Sequence, residues 1–173
     1  MSKIKVLVSK EEIQRKTREL AERISRDYEG EELLLVGVLK GGFVFLADLC
    51  REITIPVSID FISVSSYGNS TVSSGVVRIL KDIDYDITGK HILIVEDLID
   101  TGLTLTYLKD LFAAKHCASV KLCTILDKPS RRKVPLEIDY KGIEIPDEFV
   151  IGYGLDYAEK YRNLPDVCVM AEE

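Results

Sequence analysis

The stretch ILIVEDLIDTGLTL, Ile92 to Leu105, decides the fold. It opens with four consecutive apolar residues, the composition of a strand covered on both faces. Glu96 and Asp97 then stand side by side, with Asp100 three residues further on. Thr101, Gly102, Leu103 and Thr104 follow, and a helical pattern begins, with Leu105, Leu108, Leu111 and Phe112 on one face. A buried strand, a short loop and a helix make one βα unit. Three carboxylates crowded at the strand end repel one another, so a compensating partner is expected there.

Outward from this unit the alternation repeats. Ser9 followed by Glu12 is a capping box that starts a helix, with Ile13, Leu20, Ala21, Ile24 and Tyr28 as its apolar stripe and Gly30 as its end. LLLVGVL, Leu33 to Leu39, is a second continuous apolar run. LKGG follows, and then a helix over about Phe43 to Arg51. VSIDFISVS and VVRILK read as strands around a small, polar loop, Ser65 to Gly75, expected to be mobile. SVKLCTIL and FVIGYGL read as two more strands. Strands alternating with helices predict an α/β fold with a mostly parallel central sheet flanked by helices. Beyond about Asp127 the helical pattern fades, and a small hood of strands and loops is expected. The reading is one domain over residues 1–173, with its core at about 8–126 and the hood from 1–7 plus 127–173.

In such a fold ligands bind at the carboxyl ends of the strands. The loop from Asp97 to Thr104 sits at one of these ends and leads into a helix N-terminus, where free N–H groups and the helix dipole attract an anion. Thr101 and Thr104 add hydroxyl donors, and Gly102 lets the backbone approach closely. That is a phosphate cradle. The acids suit a different partner: carboxylates accept hydrogen bonds from a vicinal diol and coordinate Mg²⁺. The stretch therefore predicts a ligand carrying a phosphate and a ribose diol, with a metal beside them. The plainer reading is a capped helix with a solvated acidic loop.

VEDLIDTGLTL resembles the phosphoribosyl-pyrophosphate (PRPP) signature of the type I phosphoribosyltransferases, in the form of their hypoxanthine-guanine branch. Further segments agree in order along nearly the whole chain. LKGG, Leu39 to Gly42, resembles the family's pyrophosphate loop, which carries a cis peptide before its lysine; the resemblance places Lys40 and Gly41 there. SSYGNST resembles the flexible catalytic loop, with Ser66 and Tyr67 as the pair that closes over pyrophosphate. LDKP puts Lys128 where the family lysine meets the 6-oxygen of the purine. PDEFVIGYGLDYAEKYRNL aligns Phe149 with the aromatic that stacks on the base and Val150 with the residue meeting the base edge. It aligns Asp156, grouped with the purine-binding residues, with the acid that binds a Mg²⁺ on the pyrophosphate side, and Arg162 with an arginine reaching pyrophosphate. Leu103 stands where some relatives carry lysine, and its backbone N–H remains available for phosphate.

The resemblance implies transfer of 5-phosphoribose from PRPP to hypoxanthine or guanine, giving IMP or GMP and pyrophosphate in purine salvage. Asp100 is then the general base; Glu96 and Asp97 hold the ribose hydroxyls and, with Asp156, the metal; Thr101, Gly102, Leu103, Thr104, Lys40, Gly41 and Arg162 bind phosphate and pyrophosphate. Mg²⁺ is the expected cofactor and a homodimer or homotetramer the expected assembly. The alternatives are a xanthine-preferring relative and a PRPP-sensing regulator that catalyses little.

Composition narrows the field further. Twenty-three basic against twenty-nine acidic residues leave a net charge of −6, which disfavours a nucleic-acid binder working through a broad basic face. The longest apolar region, Leu33 to Ala47, is broken by Lys40 and glycines, so no membrane span is expected. Cys50, Cys117, Cys123 and Cys168 show no metal-binding spacing and read as reduced thiols of a cytoplasmic protein. No G-x-G-x-x-G follows a strand and no Walker loop is present, so dinucleotide oxidoreductases and P-loop kinases are set aside.

Overall fold

A computed structural model describes residues 3–66 and 77–171. In chain order the elements are β1 (Lys3–Val8), α1 (Lys10–Asp27), β2 (Leu33–Leu39), α2 (Phe43–Glu52), β3 (Val57–Ser66), β4 (Val77–Lys81), β5 (His91–Ile99), α3 (Leu103–Ala113), β6 (Ser119–Asp127), β7 (Tyr140–Glu144), β8 (Val150–Ile151) and β9 (Val167–Ala171). A 3₁₀ turn spans Pro129–Arg131. No described helix is long and apolar enough to cross a membrane.

Six strands form the main sheet in the order β4-β3-β2-β5-β6-β7. All neighbours are parallel except the edge pair β3–β4. The apolar runs are continuous because both faces are covered. Leu33 and Leu35 of β2 and Leu93 and Val95 of β5 pack toward α1 and α2. Leu34, Val36, Ile92 and Ile94 pack the other way, with Leu105, Leu108 and Phe112 of α3. The capping box forms in one direction: Ser9 Oγ accepts from the Glu12 N–H at 3.2 Å. All five residues of the α1 stripe are buried.

The strand order reverses between β2 and β5. From β2 the chain moves outward to β3, and from β5 it moves the other way to β6 and β7. The loops after β2 and β5 therefore splay apart and leave a crevice between them, the usual ligand position in open α/β sheets. A second, antiparallel sheet, β1-β9-β8, carries the chain ends of the fold.

Two expectations change. FVIGYGL contributes only the two-residue strand β8, because Gly152, Tyr153 and Gly154 all adopt positive φ and turn the chain away from extended geometry. β7, inside the stretch expected to form the hood, is the edge strand of the main sheet beside β6. Its five residues, YKGIE, have no helical crossover of their own to announce a parallel partner.

Candidate active site

The loop after β2 and the loop after β5 meet at the crevice. The Leu39–Lys40 peptide is cis, as the resemblance to the family's pyrophosphate loop implies. Asp97 is folded tightly over Gly41: a Cβ built on Gly41 would stand 1.9 Å from Asp97 Oδ2. The Leu98 N–H donates to Asp97 Oδ1 at 2.8 Å, and the Asp97 N–H donates to Glu96 Oε1 at 3.1 Å. Desolvation, and then the Asp97 carboxylate beside it, push Glu96 well above the usual carboxylate range. The crowding of carboxylates expected from the sequence is therefore present at the end of β5.

The N-terminus of α3 faces the same crevice and is open. Its N-cap is Gly102, at φ +87°, a left-handed conformation that glycine adopts without strain. Among the described residues no side chain caps this helix, and its first turn carries no acid. The Leu103 N–H makes only a long contact, 3.4 Å, to Thr101 Oγ1. Free N–H groups at a glycine-led helix start bind oxyanions. The N-terminus of α2 has the same character, with Gly42 as an N-cap and no side-chain cap.

The segment after β8 closes the third side. A Cβ on Gly154 would lie 2.2 Å from the Gly41 carbonyl oxygen, so this turn rests on the LKGG loop. Arg162 donates to the Gly154 carbonyl at 2.8 Å and sits 3.4 Å from Asp156 Oδ1. Lys40 Nζ lies 3.1 Å from Glu159 Oε2, and Arg162 lies 3.4 Å from Glu159 Oε1. A cavity of about 380 Å³ results, lined by Lys40, Gly41, Glu96, Asp97, Asp100, Thr101, Gly102, Thr104, Asp156 and Arg162 among others.

Lys128, Phe149 and Val150 do not line that cavity. Lys128 is only 6% exposed. Its N–H donates to the Ile99 carbonyl at 3.0 Å, which seats it beside the end of β5. Phe149 is 59% exposed and meets Tyr157 edge-on, with ring centroids 5.8 Å apart. Lys128 is therefore not a solvated loop lysine, and Phe149 is not part of the core. Val150 is buried and pairs with Val169. Ser66 ends β3, paired through its backbone with Val77, and Tyr67 lies outside the described residues.

A phosphoribosyl transferase domain model matches residues 5–158. The hypoxanthine-guanine phosphoribosyltransferase of Bacillus subtilis (strain 168) is 54% identical over 96% of this chain and 92% of its own length. The chain belongs to the hypoxanthine-guanine phosphoribosyltransferase family. A crystal structure of the Bacillus anthracis hypoxanthine-guanine phosphoribosyltransferase superposes with a TM-score of 0.94 at 56% identity, covering 99% of this chain and all of that one. The bifunctional TilS/HprT protein of Listeria innocua is 52% identical over 98% of this chain, which spans 26% of that longer protein.

Two arginines that the sequence did not single out contact Asp100 at the rim of the site. Arg132 Nη2 meets the buried Asp127 Oδ1 at 2.6 Å, and its Nη1 donates to the Asp100 carbonyl at 2.8 Å. Arg131 Nε meets Asp100 Oδ1 at 2.9 Å. The run RRK is basic like any solvated turn, and only its position after Lys128 sets it apart. Among the described residues no three acids, histidines or cysteines converge as a metal cage. That fits Mg²⁺ of the phosphoryl kind, which takes one or two carboxylates and completes its shell with substrate oxygens and water.

Proposed function

We propose that this chain transfers the 5-phosphoribosyl group of PRPP to N9 of hypoxanthine or guanine, forming IMP or GMP and pyrophosphate. The observation that carries the reading is the uncapped, glycine-led N-terminus of α3 beside the Glu96–Asp97 pair, facing the LKGG loop across one crevice. A phosphate, a ribose diol and a pyrophosphate each find complementary groups there.

The 5′-phosphate is held by the Leu103 and Thr104 N–H groups, with Thr101 and Thr104 hydroxyls beside them. Glu96 and Asp97 accept hydrogen bonds from the ribose hydroxyls and fix the sugar for in-line attack. Lys40, the Gly41 backbone and Arg162 meet the leaving pyrophosphate. Its negative charge grows as the sugar takes on oxocarbenium character, and fixed positive groups stabilise that state more than the ground state. Glu96 with Asp97 on one side of the crevice, and Asp156 on the other, are the carboxylates that would hold Mg²⁺, one or two to an ion, and the metal would neutralise pyrophosphate charge.

Phe149 offers an exposed ring face for stacking the base. Lys128 donates to the purine 6-oxygen; an adenine 6-amino group would meet the ammonium head-on. Asp100 accepts the N7 proton while N9 attacks, help typically worth about 10²–10⁴-fold. We place the protein in the cytoplasm, a reading its four free thiols support, and expect from its family that it assembles as a homodimer or homotetramer.

The test is an ultraviolet assay with PRPP and Mg²⁺ against hypoxanthine, guanine, xanthine and adenine in turn. Conversion of hypoxanthine or guanine, abolished by chelator, is expected. Preferential use of xanthine or adenine would refute the base assignment, and PRPP binding without turnover would refute the enzyme.

A further inference from the structure

Asp100 is gripped from two sides. Arg132 donates to its backbone carbonyl at 2.8 Å, while Arg131 takes one oxygen of its carboxylate at 2.9 Å. Arg131 also reaches toward Asp147, with Nη1 3.8 Å from Oδ2, and Asp147 stands two residues before Phe149. Arg131 is placed by the 3₁₀ turn that begins beside Lys128, and its N–H donates to the Lys128 carbonyl at 3.1 Å. One side chain thus touches both the loop of the sugar-phosphate side and the segment of the base side.

We infer that Arg131 is a positioning residue for the reaction: it holds the Asp100 carboxylate by Oδ1, leaves Oδ2 free for the purine, and ties that carboxylate to the base-stacking segment through Asp147. The inference rests on the reading of Asp100 as the group that takes the N7 proton. An exposed aspartate samples several rotamers and would meet the proton only part of the time. A guanidinium fixed to one oxygen removes that freedom. Both partners are about half exposed, and an ion pair of this kind contributes little to stability. Its value therefore lies in orientation, and its loss should appear in the chemical step rather than in folding.

The experiment compares Arg131→Ala, Arg131→Lys and Asp100→Asn with the native enzyme. It measures the single-turnover rate of nucleotide formation, the KM values for PRPP and for the base, and thermal melting. Arg131→Ala should slow the single-turnover step by about 10-fold or more, as expected when a catalytic group loses its fixed geometry. The PRPP KM should stay within about 2-fold and melting should be unchanged. Added guanidinium should restore part of the rate, and Arg131→Lys should fall between the two. A native rate in Arg131→Ala, or a rate loss matched by a rise in PRPP KM, would overturn the inference. Asp100→Asn separates the two levels: full turnover there removes the reading of Asp100 itself, whereas a slow Asp100→Asn with a fast Arg131→Ala removes Arg131 alone. Asp147→Asn should raise the base KM, and an unchanged value would remove the link to the base side.

Discussion

Replacing Gly41 by alanine adds one carbon where there is no room for it. The new Cβ would stand 1.9 Å from Asp97 Oδ2 and 2.9 Å from its Cγ. Gly41 is not in the left-handed region, so alanine meets no backbone penalty and the conflict is purely steric. The obstructing atom ends a side chain, so Asp97 yields by rotating. In doing so it gives up the 2.8 Å bond from the Leu98 N–H. A hydrogen bond to a charged group contributes about 1.5–3 kcal/mol, and in a domain of this size each kcal/mol moves Tm by about 2–4 °C. The melting loss should stay at or below about 10 °C, because moving Asp97 also relieves its repulsion with Glu96. Activity should fall further, since a binding group displaced by 1 Å typically costs about 10²-fold. The assay is kcat/KM for PRPP beside a thermal melt, repeated in an Asp97→Ala background, where the added methyl should cost almost nothing in stability. A Gly41→Ala enzyme with kcat/KM within about 3-fold of native would refute the claim that the packing of Asp97 on Gly41 shapes the site.

Other perturbations test other parts of the structure. Among the described residues the buried Tyr28 hydroxyl has no hydrogen-bond partner of good geometry, so Tyr28→Phe should leave Tm unchanged or raise it by a few degrees. Burial, aided by Asp139, also pushes the Tyr28 phenol up to about 12. The unfolded chain ionises first, so native stability should fall as pH rises from about 10 to 12, and Tyr28→Phe should reduce that fall in an alkaline denaturant titration. Glu96 is displaced in the same direction: its contribution to ligand-free stability is present below about 4.5 and is lost as pH rises through its elevated folded value. Glu96→Gln should flatten that part of the stability profile while raising the PRPP KM. Arg132→Ala would leave Asp127, 2% exposed, as a buried unpaired carboxylate; this costs about 3–5 kcal/mol and should lower Tm by at least about 6 °C.

Much of this was legible in the residues. The runs LLLVGVL and ILIV are the two central strands, and they are continuous because helices cover both faces. The Ser9–Glu12 spacing and the α1 stripe mark a helix that forms where expected. Tyr153 adopts φ +51° without being glycine, and no local rule announces that, so FVIGYGL reads as a longer strand than the two residues of β8. Arg131 and Arg132 were invisible as site residues because a basic turn after a strand reads as solvated surface until its partners are known.

The sequence by itself determined the class of the fold and the chemistry available: hydrophobic period, glycine placement and acid spacing are local properties, written in consecutive residues. Tertiary structure alone decided which of those residues meet. The reversal of strand order between β2 and β5 brings Gly41 under Asp97, and the return of the chain after β6 sets two arginines on Asp100. Such contacts join positions tens of residues apart. Their geometry depends on how sheets and loops close against one another, which no window of neighbouring residues encodes.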